Sequence, residues 1–101
     1  MLKPIHVRIA RAAMRWSLVD LEEKTGISKN TLVRFEAGGG VNHSTAGKIE
    51  EAFINEGVKF VYEDDTRGPG VLLSKDLSRR LGEPAGTLAK GKSVKRSTKS
   101  K

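Results

Sequence analysis

Between Ser17 and Gly40 the chain sets helix caps and glycines so close together that only short helices fit between them. Ser17 is a good N-cap, and Gly26 stops the helix that begins there. Ser28 caps again after only Ile27 has passed, and the run Gly38-Gly39-Gly40 ends that segment in turn. The spacing predicts one helix over Leu18 to Thr25 and another over Lys29 to Glu36. Asp20, Glu22 and Glu23 lie near the start of the first, where the helix dipole favours negative charge.

Two short helices joined by a glycine-containing turn, the second carrying polar residues outward, make a helix-turn-helix pattern. Leu21, Thr25, Ile27, Leu32 and Phe35 fall where the inner faces of the helices and their turn meet. Gly26 sits where a left-handed backbone is needed.

The flanks add further elements. Pro4 suits a first helical turn, and Ile5 to Arg15 contains no glycine or further proline, which predicts a helix. Val7, Ala10 and Met14 form one apolar stripe, while Ile5, Ile9, Ala12 and Ala13 form a second, so this helix is expected to be mostly buried. Arg8, Arg11 and Arg15 fall between the stripes as one basic edge. Ser44 is expected to cap a helix over Thr45 to Glu56, with Ile49, Ala52 and Phe53 at helical spacing and Gly57 just past its end. Val58 to Tyr62 reads as a strand, Asp64 to Gly70 as turn chemistry, Val71 to Leu73 as a candidate second strand and Lys75 to Leu81 as a candidate short helix.

The segment from Trp16 to Gly38, WSLVDLEEKTGISKNTLVRFEAG, resembles the XRE family of phage-repressor-like, Cro-like helix-turn-helix regulators. The resemblance runs from about Val7 to Phe53, roughly half of the chain. It implies a mainly α fold: a lambda-repressor-like four-helix domain over residues 1–57. Over 58–86, short strands and a short helix form a candidate dimerisation segment. In this family the second helix of the motif lies in the DNA major groove, which makes Ser28, Lys29, Asn30, Thr31, Val33 and Arg34 the candidate DNA-binding residues. Lys29 and Arg34 can donate to guanine or phosphate, Asn30 can pair with adenine, and Val33 can press on a thymine methyl. Ser28 and Thr31 suit phosphate, as do Arg8, Arg15 and Ser17. The resemblance also pairs Arg11 with Glu36 as a structural salt bridge.

Two positions depart from the family pattern. Leu18 stands where the family commonly has a glutamine that clamps the DNA backbone, so that contact is expected to be missing. Glu22 stands where alanine is preferred for close helix approach, so its side chain must turn to solvent or the helices must part slightly.

Charge supports a polyanionic partner only through its placement. The 101 residues carry 19 Lys+Arg and 12 Asp+Glu, a net of +7. Six of the basic residues (Lys90, Lys92, Lys95, Arg96, Lys99 and Lys101) lie between Thr87 and Lys101, where composition predicts a disordered basic tail. Residues 1–34 carry seven basic and three acidic groups, while 35–66 carry two and seven. The positive end of the folded part is its N-terminal third.

The same composition narrows the function classes. A chain of this length makes one domain. With no cysteine, disulfides, thiolate zinc sites and thiol nucleophiles are excluded. His6 and His43 are isolated, and Gly38 to Gly40 lacks the Lys-Ser/Thr of a phosphate loop. No enzyme, metal site or cofactor is therefore expected. Trp16 reads as core rather than as a stacking platform, and few aromatics disfavour RNA. A start at Met1 to His6 without an apolar leader fits a cytoplasmic protein. The expectation is a sequence-specific DNA-binding regulator, a repressor working as a homodimer through residues 58–73. The alternative is a DNA-binding antitoxin that sequesters a toxin partner.

Overall fold

The computed structural model describes residues 1–82. The expected basic tail over 87–101 lies outside them. The chain folds as α1 (Pro4–Met14), α2 (Leu18–Thr25), α3 (Lys29–Glu36), α4 (His43–Ile54), β1 (Val58–Val61), β2 (Gly70–Leu73) and α5 (Lys75–Leu81). β1 and β2 form a two-stranded antiparallel sheet, with Val58 opposite Leu73 and Val61 opposite Gly70. No helix among the described residues is long and apolar enough to cross a membrane.

One core joins all of these elements. Val7, Ala10 and Met14 of α1, Leu21 of α2, Leu32 and Phe35 of α3, and Ile49 and Phe53 of α4 meet Val58 and Phe60 of β1 and Leu77 of α5. Phe53 is at its centre, stacked on Trp16 at 5.0 Å and meeting Phe60 edge-on at 6.0 Å. Each fully buried side chain of this kind stabilises the fold by about 1.5–3 kcal/mol.

Several elements differ from the sequence reading. Only the first stripe of α1 is buried, and His6 joins it; Ile5 and Ala12 stay exposed, with Ile9 and Ala13 half-buried. So few elements cover one side of a helix and not both. Arg15 does not continue the basic edge of α1, because it takes a left-handed conformation (φ 61°) as the helix ends.

The fourth helix is shifted toward the N-terminus. Its N-cap is Asn42, whose Oδ1 accepts from the Thr45 N–H at 2.8 Å, and Ser44 lies within the first turn. Asparagine and serine cap about equally well, and the earlier start adds intrahelical bonds without changing the phase of Ile49 and Phe53. The helix stops at Ile54 because the next turn tightens. The Glu56 N–H bonds the Phe53 carbonyl and the Gly57 N–H bonds that of Ile54, both at 3.0 Å, ahead of the positive φ of Gly57 (110°). β1 ends one residue before Tyr62, whose hydroxyl donates to the Glu50 carboxylate on α4.

Candidate nucleic-acid interface

The turn between α2 and α3 is built by short-range hydrogen bonds. The Ser17 Oγ accepts from the Asp20 N–H at 3.0 Å while an Asp20 carboxylate oxygen accepts from the Ser17 N–H at 2.9 Å, a reciprocal cap that starts α2. Gly26 ends it in the left-handed region (φ 77°), its N–H donating to the Glu22 carbonyl at 2.8 Å. Thr25 then ties the turn together: its hydroxyl donates to the Leu21 carbonyl at 2.7 Å and accepts from the Ile27 N–H at 3.1 Å. With Ile27 buried behind it, the chain re-enters a helix at Ser28.

α3 begins with a second cap. The Ser28 Oγ accepts from the Thr31 N–H at 3.2 Å and donates to the Thr31 Oγ at 2.9 Å. The Ser28 and Thr31 hydroxyls are thus tied to each other in the first turn of α3. Leu32 and Phe35 anchor the inner side of α3 in the core. Lys29, Asn30, Val33 and Arg34 are all exposed, and their spacing puts them on one outer face. Val33 is an apolar side chain left 45% exposed between two cations and an amide.

Arg11 fixes α3 from behind. Its Nε and Nη2 donate to the two carboxylate oxygens of Glu36 at 2.7 and 2.9 Å, and its Nη1 donates to the Trp16 carbonyl at 3.0 Å. The side chains are 22% and 11% exposed. Hydrogen bonding to Glu36 raises the Arg11 pKa above the ordinary guanidinium value, against the opposing effect of burial. One side chain thereby joins the end of α1, the link into α2 and the last residue of α3.

The two departures from the family pattern resolve differently. Leu18 is half-buried and packs against the core, so it faces inward and leaves the start of α2 without a polar clamp. Glu22 is half-buried and has no ion-pair partner among the described residues. Arg8, Arg15 and Ser17 are exposed. Lys24 lies over the Trp16 ring at 5.4 Å, and Phe53 stacks on the same ring at 5.0 Å.

His6 has a role that its surroundings in the sequence do not announce. The Lys3 N–H donates to its Nδ1 at 3.0 Å, which leaves Nε2 to donate to the Val61 carbonyl at 2.8 Å. The ring also meets Phe60 and Tyr62 edge-on at 5.4 and 5.2 Å. This histidine is a buried strap between α1 and β1. A cleft of about 490 Å³ between the N-terminal residues, the Gly38–Gly40 loop and Tyr62 has Lys3 and Glu63 in its lining, paired with each other at 2.9 Å.

A family model described as helix-turn-helix matches residues 7–54, from within α1 to the last residue of α4. No curated protein and no solved structure matches the chain. The two caps, the left-handed Gly26, the buried Leu32 and Phe35 and the polar outer face of α3 all lie within the matched segment, and residues 7–54 form a DNA-binding helix-turn-helix domain of the XRE, Cro-like type.

Proposed function

We propose that this protein is a repressor that binds a near-palindromic operator as a homodimer. The exposed row Lys29, Asn30, Val33 and Arg34 carries this reading, because it places donors for guanine, an amide for adenine and an apolar contact for thymine on one rigid face. In this reading α3 enters the major groove, Lys29 and Arg34 take guanine, and Ser17, Ser28, Thr31, Arg8 and Arg15 hold phosphates. Residues 58–73 join the two copies. The half-sites then lie about one helical turn, roughly 10 bp, apart.

Selection of bound sequences from random DNA, repeated at two salt concentrations, tests the proposal. Enrichment of an inverted repeat with that spacing is the expected result. Retention of DNA without any sequence enrichment overturns it.

A further inference from the structure

The sheet leaves two edges, and they are not equivalent. The Ser74 N–H donates to the Gly57 carbonyl at 2.8 Å, which extends the β1–β2 register by one step. Hydrogen-bonded pairs alternate along an antiparallel ladder, so Lys59 with Leu72 and Val61 with Gly70 bond inward across the sheet. Val58 and Phe60 therefore aim their backbone groups out of the β1 edge, and Val71 and Leu73 aim theirs out of the β2 edge. None of these four residues has a backbone partner outside the ladder among the described residues.

We infer that two copies of the chain pair antiparallel along their β2 edges, with Leu72 of each copy facing its counterpart across a twofold axis. The inference rests on the homodimer reading above and names the strand, the register and the residue at its centre. In this register Val71 of one copy meets Leu73 of the other, and the outward N–H and C=O groups of both residues are satisfied on both strands. Leu72, 55% exposed in the single chain, is covered by its own image.

The alternatives are weaker for stated reasons. Centring the pair on Val71 sets Pro69 at a donor position, where it has no N–H to offer. Centring it on Leu73 requires Lys75 to be extended, but Lys75 is the first residue of α5. Pairing along β1 centred on Lys59 sets two like charges at the closest cross-strand distance, and centring it on Phe60 requires Tyr62 to extend the strand, but β1 ends at Val61. β2 holds no charged residue, so its self-pairing meets no such repulsion. A β1-to-β2 contact between copies is heterologous and builds rings or filaments rather than a twofold dimer.

The chain has no cysteine, so single replacements report geometry cleanly. Facing Leu72 positions stand in a non-hydrogen-bonded pair about 4.5 Å apart at Cα, within reach of a disulfide. The two Lys59 positions lie three strand spacings apart, about 14 Å, which is too far. Under mild oxidation of the full chain, Leu72→Cys is expected to give more than half covalent dimer and Lys59→Cys essentially none. Leu72→Lys is expected to shift the chain from dimer to monomer in sedimentation at tens of micromolar, with unchanged helical circular dichroism. Cross-linking at Lys59→Cys but not at Leu72→Cys overturns the inference. A dimeric, DNA-binding wild type whose Leu72→Cys variant does not cross-link overturns this interface alone. A monomeric wild type overturns the homodimer reading with it.

Discussion

Arg11 holds Glu36 through two parallel hydrogen bonds of 2.7 and 2.9 Å, so the last residue of α3 is fastened to the first helix rather than to its own neighbours. Both side chains are largely withdrawn from water. Removing one leaves the other charged, buried and alone, which costs more than the pair contributes as a unit. Arg11→Ala is therefore expected to lose about 3 kcal/mol in urea unfolding. A variant of wild-type stability that binds DNA poorly would instead make Arg11 a DNA contact.

His6 links segments that are distant in sequence, since its ring bridges the Lys3 N–H and the Val61 carbonyl. His6→Phe keeps a ring of comparable bulk among Phe60 and Tyr62 but makes neither bond. Each lost bond costs on the order of 1 kcal/mol, and the unpaired buried N–H adds to it. The expected loss is about 2 kcal/mol, with amide exchange rising most at the start of α1 and in β1. Uniform exchange across the chain would assign His6 a packing role only.

Among the described residues, Gly57 is the one position where both backbone and space demand glycine. Its φ is 110°, and a Cβ there would stand 2.7 Å from the Ser74 Oγ and 3.3 Å from the Leu77 Cβ. Gly57→Ala is expected to destabilise by about 1–3 kcal/mol and to loosen α5, whose Leu77 is buried against this turn. Gly40 has open space and no positive φ, so Gly40→Ala should stay within about 0.5 kcal/mol of wild type. Equal thermal midpoints for the two variants would contradict this account.

These contrasts show how much of the molecule was legible in the sequence. α2, the turn and α3 are readable because Ser17, Gly26 and Ser28 act through bonds to residues three or four positions away. The outer face of α3 followed from the same spacing, as the complement of Leu32 and Phe35. The His6–Val61 strap spans 55 residues, so no local pattern could announce it. α4 starts after Asn42 rather than Ser44, because the two are comparable caps and the choice between them lies in the helix gained. The second stripe of α1 stays largely uncovered because periodicity reports which residues can be covered, and only the fold decides which are.

The turn after β1 supplies a pH dependence. An Asp64 carboxylate oxygen accepts from the Thr66 N–H at 2.8 Å, the Thr66 hydroxyl at 3.0 Å and the Arg67 N–H at 2.9 Å. These bonds, the Thr66 N–H foremost, hold the Asp64 pKa below its ordinary value. The unfolded group titrates near 3.9 and the folded one lower, so the stabilisation is complete above about pH 4 to 5. It is lost as the pH falls through the unfolded value and then the folded one. Asp64→Asn keeps an acceptor and removes the titration, so its urea midpoint is expected to fall less steeply than that of wild type between about pH 4 and 2.5. Parallel acid limbs would contradict this.

In the proposed mode of DNA binding, four of the exposed cations divide into two kinds that binding measurements tell apart. Lys29 and Arg34 share the outer face of α3 with Asn30 and Val33, whereas Arg8 lies on α1 and Arg15 in the left-handed turn after it. Loss of a bidentate guanine contact costs about 1–3 kcal/mol and relaxes preference at one base. Loss of a phosphate contact weakens binding to every sequence and lowers the slope of log affinity against log salt by about one. Arg34→Ala and Lys29→Ala are expected to behave in the first way, and Arg8→Ala and Arg15→Ala in the second. The measurement is fluorescence anisotropy on the selected operator, on single-base variants of it and on unrelated DNA across a salt series. If Arg34→Ala weakens all three alike and changes the slope, the guanidinium holds phosphate, and base reading falls to Lys29, Asn30 and Val33.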